Sequence, residues 1–142
     1  MDYLQSFAIS AAGMAVERAR VEAASLNLAQ AHTVQAPGQP GFQPVRVVAT
    51  SGVDFAARVD DAMNPLPLPT ATIEPTGAPP HLVQEPGHPF ADARGFVAYP
   101  GVDPATEMVT LMAATRAYEA NVAAMNTARS LALKTLEIGR TA

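Results

Sequence analysis

The sequence predicts a mainly α protein with a small β insert: long N- and C-terminal helices pairing as a coiled coil, with an irregular proline-rich β subdomain between them. Three observations lead there. All 13 prolines of the 142-residue chain lie from Pro37 to Pro104, and proline breaks helix interiors, so only head and tail are free to be long helices. Apolar residues recur in both at alternating steps of three and four, the seam of a coiled coil. The centre instead holds short β-branched runs cut by Pro and Gly. The expected division is a discontinuous coiled-coil assembly domain, 1–36 plus 102–142, and an insert, 37–101.

The head reads as helix from residue 2 to about residue 31. Asp2 with Gln5 three residues later resembles a capping box. Leu4, Phe7, Ala11, Met14, Val21 and Leu28 lie on a seven-residue repeat, with Arg18 and Ser25 in its remaining positions. Residues 3–16 carry no charge, whereas Glu17, Arg18, Arg20 and Glu22 crowd together. A free surface helix would show a polar face along its whole length, so the first turns are expected to be covered on several sides. A secretory leader would need a basic start, which Asp2 contradicts. Gln5, Ser6 and Ser10 interrupt any membrane span, which needs about 20 apolar residues.

Ala36-Pro37-Gly38-Gln39-Pro40-Gly41 ends the first helix. Strand candidates follow at 45–49, 53–59, 70–73, 81–84 and 96–99, separated by turns such as Asn64-Pro65, Pro79-Pro80 and Pro86-Gly87. Proline cannot donate to a ladder, so several strands must be edges or irregular. Mobile loops are expected around residues 62–80.

The tail opens with Asp103, whose carboxylate can accept from the free amides of a first turn, and Pro104 at the first helical position. Leu111, Tyr118, Val122, Met125, Ala132 and Leu136 then share a stripe, Thr115 and Arg129 fill it, and neither Gly nor Pro intervenes before Gly139. A seam of roughly 35 residues, on the order of 50 Å, is too long for a small domain to cover alone. It requires a partner helix, from this chain or from a neighbouring copy. Val109, Ala113, Ala117, Ala120, Ala124 and Leu131 are apolar off that seam, so burial on more than one side is expected.

Composition removes most chemistry. A net charge of -4 with 15% charged residues gives no electrostatic reason for a nucleic-acid or membrane-surface partner. Cysteine is absent, and with it disulfides and thiolate ligands. His81, Glu85 and His88 come near metal-ligand spacing, but Pro86 and Pro89 prevent one helix face from presenting them. Asp60-Asp61 reads as a solvated pair, and no nucleophile motif or phosphate loop is recognisable. No catalytic residue, metal or cofactor is expected.

Three groups of residues carry a resemblance. In the tail, Val102-Asp103, Glu107-Met108-Val109, Met112, Arg116, Tyr118-Glu119-Ala120-Asn121 and Leu136 resemble the C-terminal signature of the bacterial flagellar axial proteins. In the head, Ser10, Gly13-Met14, Val21, Ala24, Asn27-Leu28-Ala29 and Thr33 are similar to their N-terminal signature. Glu85-Pro86-Gly87-His88-Pro89, Ala91-Asp92-Ala93, Gly95-Phe96-Val97 and Pro100-Gly101-Val102-Asp103 resemble a segment typical of the proximal-rod branch of the flagellar basal-body rod proteins. Gln30, Arg94 and Gly101 stand where that family usually has Asn, and Phe96 where it has Tyr; residues 50–80 lie outside the resemblance.

The resemblance implies a non-enzymatic rod subunit, exported uncleaved by the flagellar type III apparatus and assembled in the periplasm. It would polymerise helically with copies of itself and other rod proteins, without nucleic acid or membrane insertion, and transmit torque from motor to hook and filament. Leu111, Tyr118, Val122, Met125 and Leu136 would then pack against Leu4, Phe7, Met14, Val21 and Leu28. The competing expectations are a soluble helical-hairpin adaptor or export-related binding module, and a small metal hydrolase built on the histidines.

Overall fold

A computed structural model describes residues 3–51 and 68–140. Along the chain it comprises α1 (Tyr3–Gln30), β1 (Val45–Ser51), β2 (Pro69–Pro75), β3 (His81–Gln84), β4 (Phe96–Tyr99) and α2 (Pro104–Arg140). Two long helices, of 28 and 37 residues, therefore bracket a β insert. The insert consists of two two-stranded sheets, β1-β2 and β3-β4. The 53–59 strand candidate, the Asp60-Asp61 pair and the Asp2 cap lie outside the described residues.

Both helices form where the prolines stop. The Asp103 carboxylate caps α2: one oxygen accepts from the Ala105 amide at 3.2 Å and the other from the Thr106 hydroxyl. These bonds favour the charged form and hold the Asp103 carboxyl below its ordinary value of 3.8. Open space surrounds Gly139, and α2 runs through it to Arg140.

The mobile loop expected around residues 62–80 is corrected to the extent that the strand candidate at 70–73 forms the middle of β2. Its β-branched residues suit a pleated strand, and cross-strand contacts fix it: the Thr50 and Thr70 hydroxyls meet at 3.1 Å and Thr72 Oγ1 donates to Val48 O at 3.3 Å. Pro69 and Pro75 occupy its two ends, where a missing N–H is tolerated.

β3 and β4 are antiparallel, pairing His81 with Tyr99 and Gln84 with Phe96. The chain leaving α1 then pairs with β4, since Gln35 and Ala98 exchange both backbone bonds at 3.0 and 2.9 Å. This encloses Val97, Ala98 and Pro100, all buried.

The chain divides into two compact units. One comprises Met1–Ala19, Val48–Thr72 and Ala113–Ala142, and its described buried residues are Ser10, Val16 and Ala114. The other comprises Arg20–Val47 and Ile73–Met112, and is built around Ala23, Ala24, Asn27, Ala31, Val97 and Ala98.

Candidate assembly surface and its buried clamp

The most constrained polar group is Asn27, 1% exposed near the end of α1. Its Nδ2 donates to Val45 O at 2.8 Å while its Oδ1 accepts from Val45 N at 2.9 Å. The side-chain amide thus pairs with one residue's backbone as a neighbouring peptide would. The second Nδ2 hydrogen goes to Glu107 Oε1, also at 2.8 Å. Both donors and the acceptor are used, as a buried amide requires. Glu107 sits in the first turn of α2, where the helix dipole favours a carboxylate. One side chain thus ties the end of α1 to the start of β1 and the start of α2.

A second polar lock closes the other sheet. Asp92 Oδ1 accepts from the Arg94 and Phe96 amides at 2.8 and 2.9 Å, and Arg94 Nε lies 3.5 Å from Oδ2. The bond from Phe96 is the main reason the Asp92 carboxyl stays below its ordinary value. Gly95 sits inside this turn at φ +78°, and a Cβ there would come within 3.1 Å of Pro86. Glu85 N donates to Gly95 O at 2.8 Å, and Tyr99 OH to Glu85 Oε1 at 3.0 Å. That acceptor carboxylate raises the Tyr99 hydroxyl above its ordinary value of 10.0. The Glu85-Pro86-Gly87-His88-Pro89 and Ala91-Asp92-Ala93 segments are therefore two sides of one interlocked turn.

The metal candidates are otherwise employed. His81 stacks on Tyr99 with ring centroids 5.6 Å apart, and His88 Nδ1 accepts from the Phe90 amide at 3.1 Å. Among the described residues, no group of three His, Cys, Asp or Glu side chains could hold a metal ion. No helix among them is long and apolar enough to cross a membrane.

In the unit containing the start of α1, Gly13 faces Asn121, and a Cβ on Gly13 would stand 2.9 Å from Asn121 Oδ1. Asn121 Nδ2 in turn donates to Ala117 O at 3.0 Å. Absence of a side chain at residue 13 is what admits the amide.

Of the seam residues expected from periodicity, Phe7, Met14, Val21, Leu28, Leu111, Val122 and Met125 are half-buried. Leu4, Tyr118 and Leu136 are exposed, at 79%, 40% and 71%. Of the signature residues, Asn27 is buried, Glu107 and Asn121 are half-buried, and Ala29, Met108, Val109, Arg116, Glu119 and Ala120 are exposed. Met112, Leu131, Leu133 and Ile138 are exposed too, so the chain by itself leaves much apolar surface of α2 in water. Periodicity alone misses Ser10, Gly13, Val45 and Asp92; the first two were visible only as small residues in the head signature.

The arrangement holds segments together and offers apolar surface. Residues 93–138 match the family described as flagellar basal body rod FlgEFG protein C-terminal. Over 99% of its length the chain is 37% identical to the flagellar basal-body rod protein FlgC of Salmonella typhimurium, all of which is covered. It is 34% identical to that of Bacillus subtilis, again over 99% of the chain and all of the relative. With that of Aquifex aeolicus it shares 32% identity over 96% of the chain and 97% of the relative.

Proposed function

Since the chain belongs to the FlgC family of flagellar basal-body rod proteins, and is a structural subunit of that rod and not an enzyme, we propose that it builds the proximal rod by helical polymerisation. It stacks with copies of itself and with other rod proteins, and carries torque from motor to hook and filament. The flagellar type III apparatus exports it without a cleaved leader, and it assembles in the periplasm. Residues 1–36 plus 102–142 are the assembly domain, and residues 37–101 the insert between its helices.

The observation that carries this reading is the full-length likeness to FlgC proteins, together with apolar residues that one chain leaves uncovered on α2, among them Val109, Met112, Leu136 and Ile138. A helix of 37 residues whose apolar positions face water is stabilised by neighbours that cover them. Coiled-coil pairing of α1 with α2 is supported by two contacts. Gly13 meets Asn121 in one unit and Asn27 meets Glu107 in the other. The step from Gly13 to Asn27 and the step from Asn121 back to Glu107 are equal, two seven-residue repeats each. Leu4, Phe7, Met14, Val21 and Leu28 with Leu111, Tyr118, Val122, Met125 and Leu136 form the packing seams in the polymer.

Met125→Asp tests it. A charge in the seam should abolish rod assembly and swimming while the subunit is still secreted; a strain that swims normally with this substitution overturns the proposal.

A further inference from the structure

Between the end of α1, β3, β4 and the start of α2 lies an open cavity of about 310 Å³, at the lower edge of the range for small-ligand sites. Its charged group is half-buried Glu85. One carboxylate oxygen accepts from Tyr99, and the carboxylate makes no other hydrogen bond or ion pair among the described residues. The Tyr99 ring is stacked with His81 at an interplanar angle of 18°. Val83 and Val102 supply apolar wall, and His32 stands at the exposed rim.

A carboxylate with a free oxygen, beside a stacked aromatic pair and apolar wall, suits a flat cation on an apolar stem. Guanidinium meets each requirement: it pairs directionally with carboxylates, lies on aromatic faces, and its methylenes pack on valines. The field agrees. α1 ends at this cavity and its carbonyl end attracts positive charge, whereas the opposing start of α2 is capped by the Asp103 carboxylate.

We infer that this cavity is a receptor for an arginine side chain, filled in the rod by Arg116 of a second copy of the chain. The occupant, though not the receptor, rests on the rod reading above. Arg116 is exposed, and its guanidinium makes no hydrogen bond or ion pair with any described residue. It follows exposed Met112 by one turn and shares the stripe of exposed Val109, so its charge stands in apolar surface that can close over the cavity mouth.

The receptor is tested on the purified full chain by titrating N-acetylarginine amide against the uncharged analogue N-acetylcitrulline amide, following amide NMR shifts. The arginine compound should give saturable shifts at Glu85, Tyr99 and Val102. Citrulline should bind about tenfold more weakly, and Glu85→Gln should weaken arginine binding by a similar factor, the usual loss for one charged hydrogen bond. Equal response to both compounds, or none at these residues, overturns the receptor. The occupant is tested by disulfide capture. The chain has no cysteine, so His32→Cys with Met112→Cys supplies the only thiols. Basal bodies holding this variant should yield a disulfide-linked dimer that neither single substitution gives. Its absence overturns Arg116 as occupant, whereas absence of the unaltered chain from basal bodies would overturn the rod reading itself.

Discussion

The Nδ2 of Asn27 and the Oε1 of Glu107 meet at 2.8 Å across eighty residues of chain. The same amide reads both backbone groups of Val45, so three segments depend on one side chain. Asn27→Ala removes every side-chain bond, leaving the Val45 amide and carbonyl and the Glu107 carboxylate without that partner. The loss should be roughly 2 kcal/mol or more, since each abandoned polar group costs its desolvation. Urea unfolding of the purified chain measures it.

Asn27→Asp should be no gentler. It removes both Nδ2 donors and sets a second carboxylate against Glu107 and the Val45 carbonyl. The repulsion fades when the new carboxyl takes up a proton, so its deficit relative to the unaltered chain should shrink as pH falls. Parallel unfolding at neutral and mildly acid pH separates this from a simple loss of contacts.

At Gly13 two effects oppose each other. Alanine would favour the helix by about 0.5–1 kcal/mol, but its Cβ meets Asn121 at 2.9 Å and must displace an amide bonded to Ala117. Gly13→Ala alone should come out near neutral or destabilising, whereas Gly13→Ala with Asn121→Ala should recover the helix gain. A double-mutant cycle from thermal melts reads the coupling.

Gly95 has no such latitude. Its φ of +78° strains any side chain, and Pro86 crowds the place a Cβ would take. Gly95→Ala should lose at least about 1–2 kcal/mol from the left-handed backbone alone, seen as a lower urea midpoint with an unchanged slope.

Acid should weaken the fold through Asp103 and Asp92. Both carboxyls titrate below their ordinary 3.8 in the folded chain, so their contribution is complete above that value and is lost as pH falls through the lowered ones. Tyr99 runs the other way: its hydroxyl titrates above 10.0, so its share persists to that pH and is lost as pH rises further. Following the Ala105, Thr106 and Phe96 amides by NMR through an acid titration checks the first pair. Asp103→Asn should remove the acid response at the start of α2.

Much of the fold is legible in the sequence, because proline confined to 37–104 leaves two long stretches with nothing to break a helix. β3 and β4 are read residue for residue, since Pro79-Pro80, Pro86-Gly87 and Pro100-Gly101 bracket them. The middle of β2 is read too, at 70–73, but not its extension to the prolines at both ends or its pairing with β1, whose cross-strand threonine contacts the local pattern does not show. The clamp is the least legible. A seven-residue repeat selects large apolar side chains, and so passes over Ser10, Gly13, Ala24 and Asn27, where small size or a buried amide governs how closely segments approach. Asn27 enters the reading through resemblance, without its partners, because an amide's spacing in sequence says nothing of a backbone eighteen residues on or a carboxylate eighty residues on.

Because Asn27 grips Val45 through its peptide groups alone, the attachment is indifferent to what side chain follows. These two bonds ask of residue 45 only a carbonyl and a nitrogen that carries a hydrogen, which proline alone lacks. The joint between helix and insert is thus written in main-chain groups, and its two bonds stay the same when the side chains of the strand change.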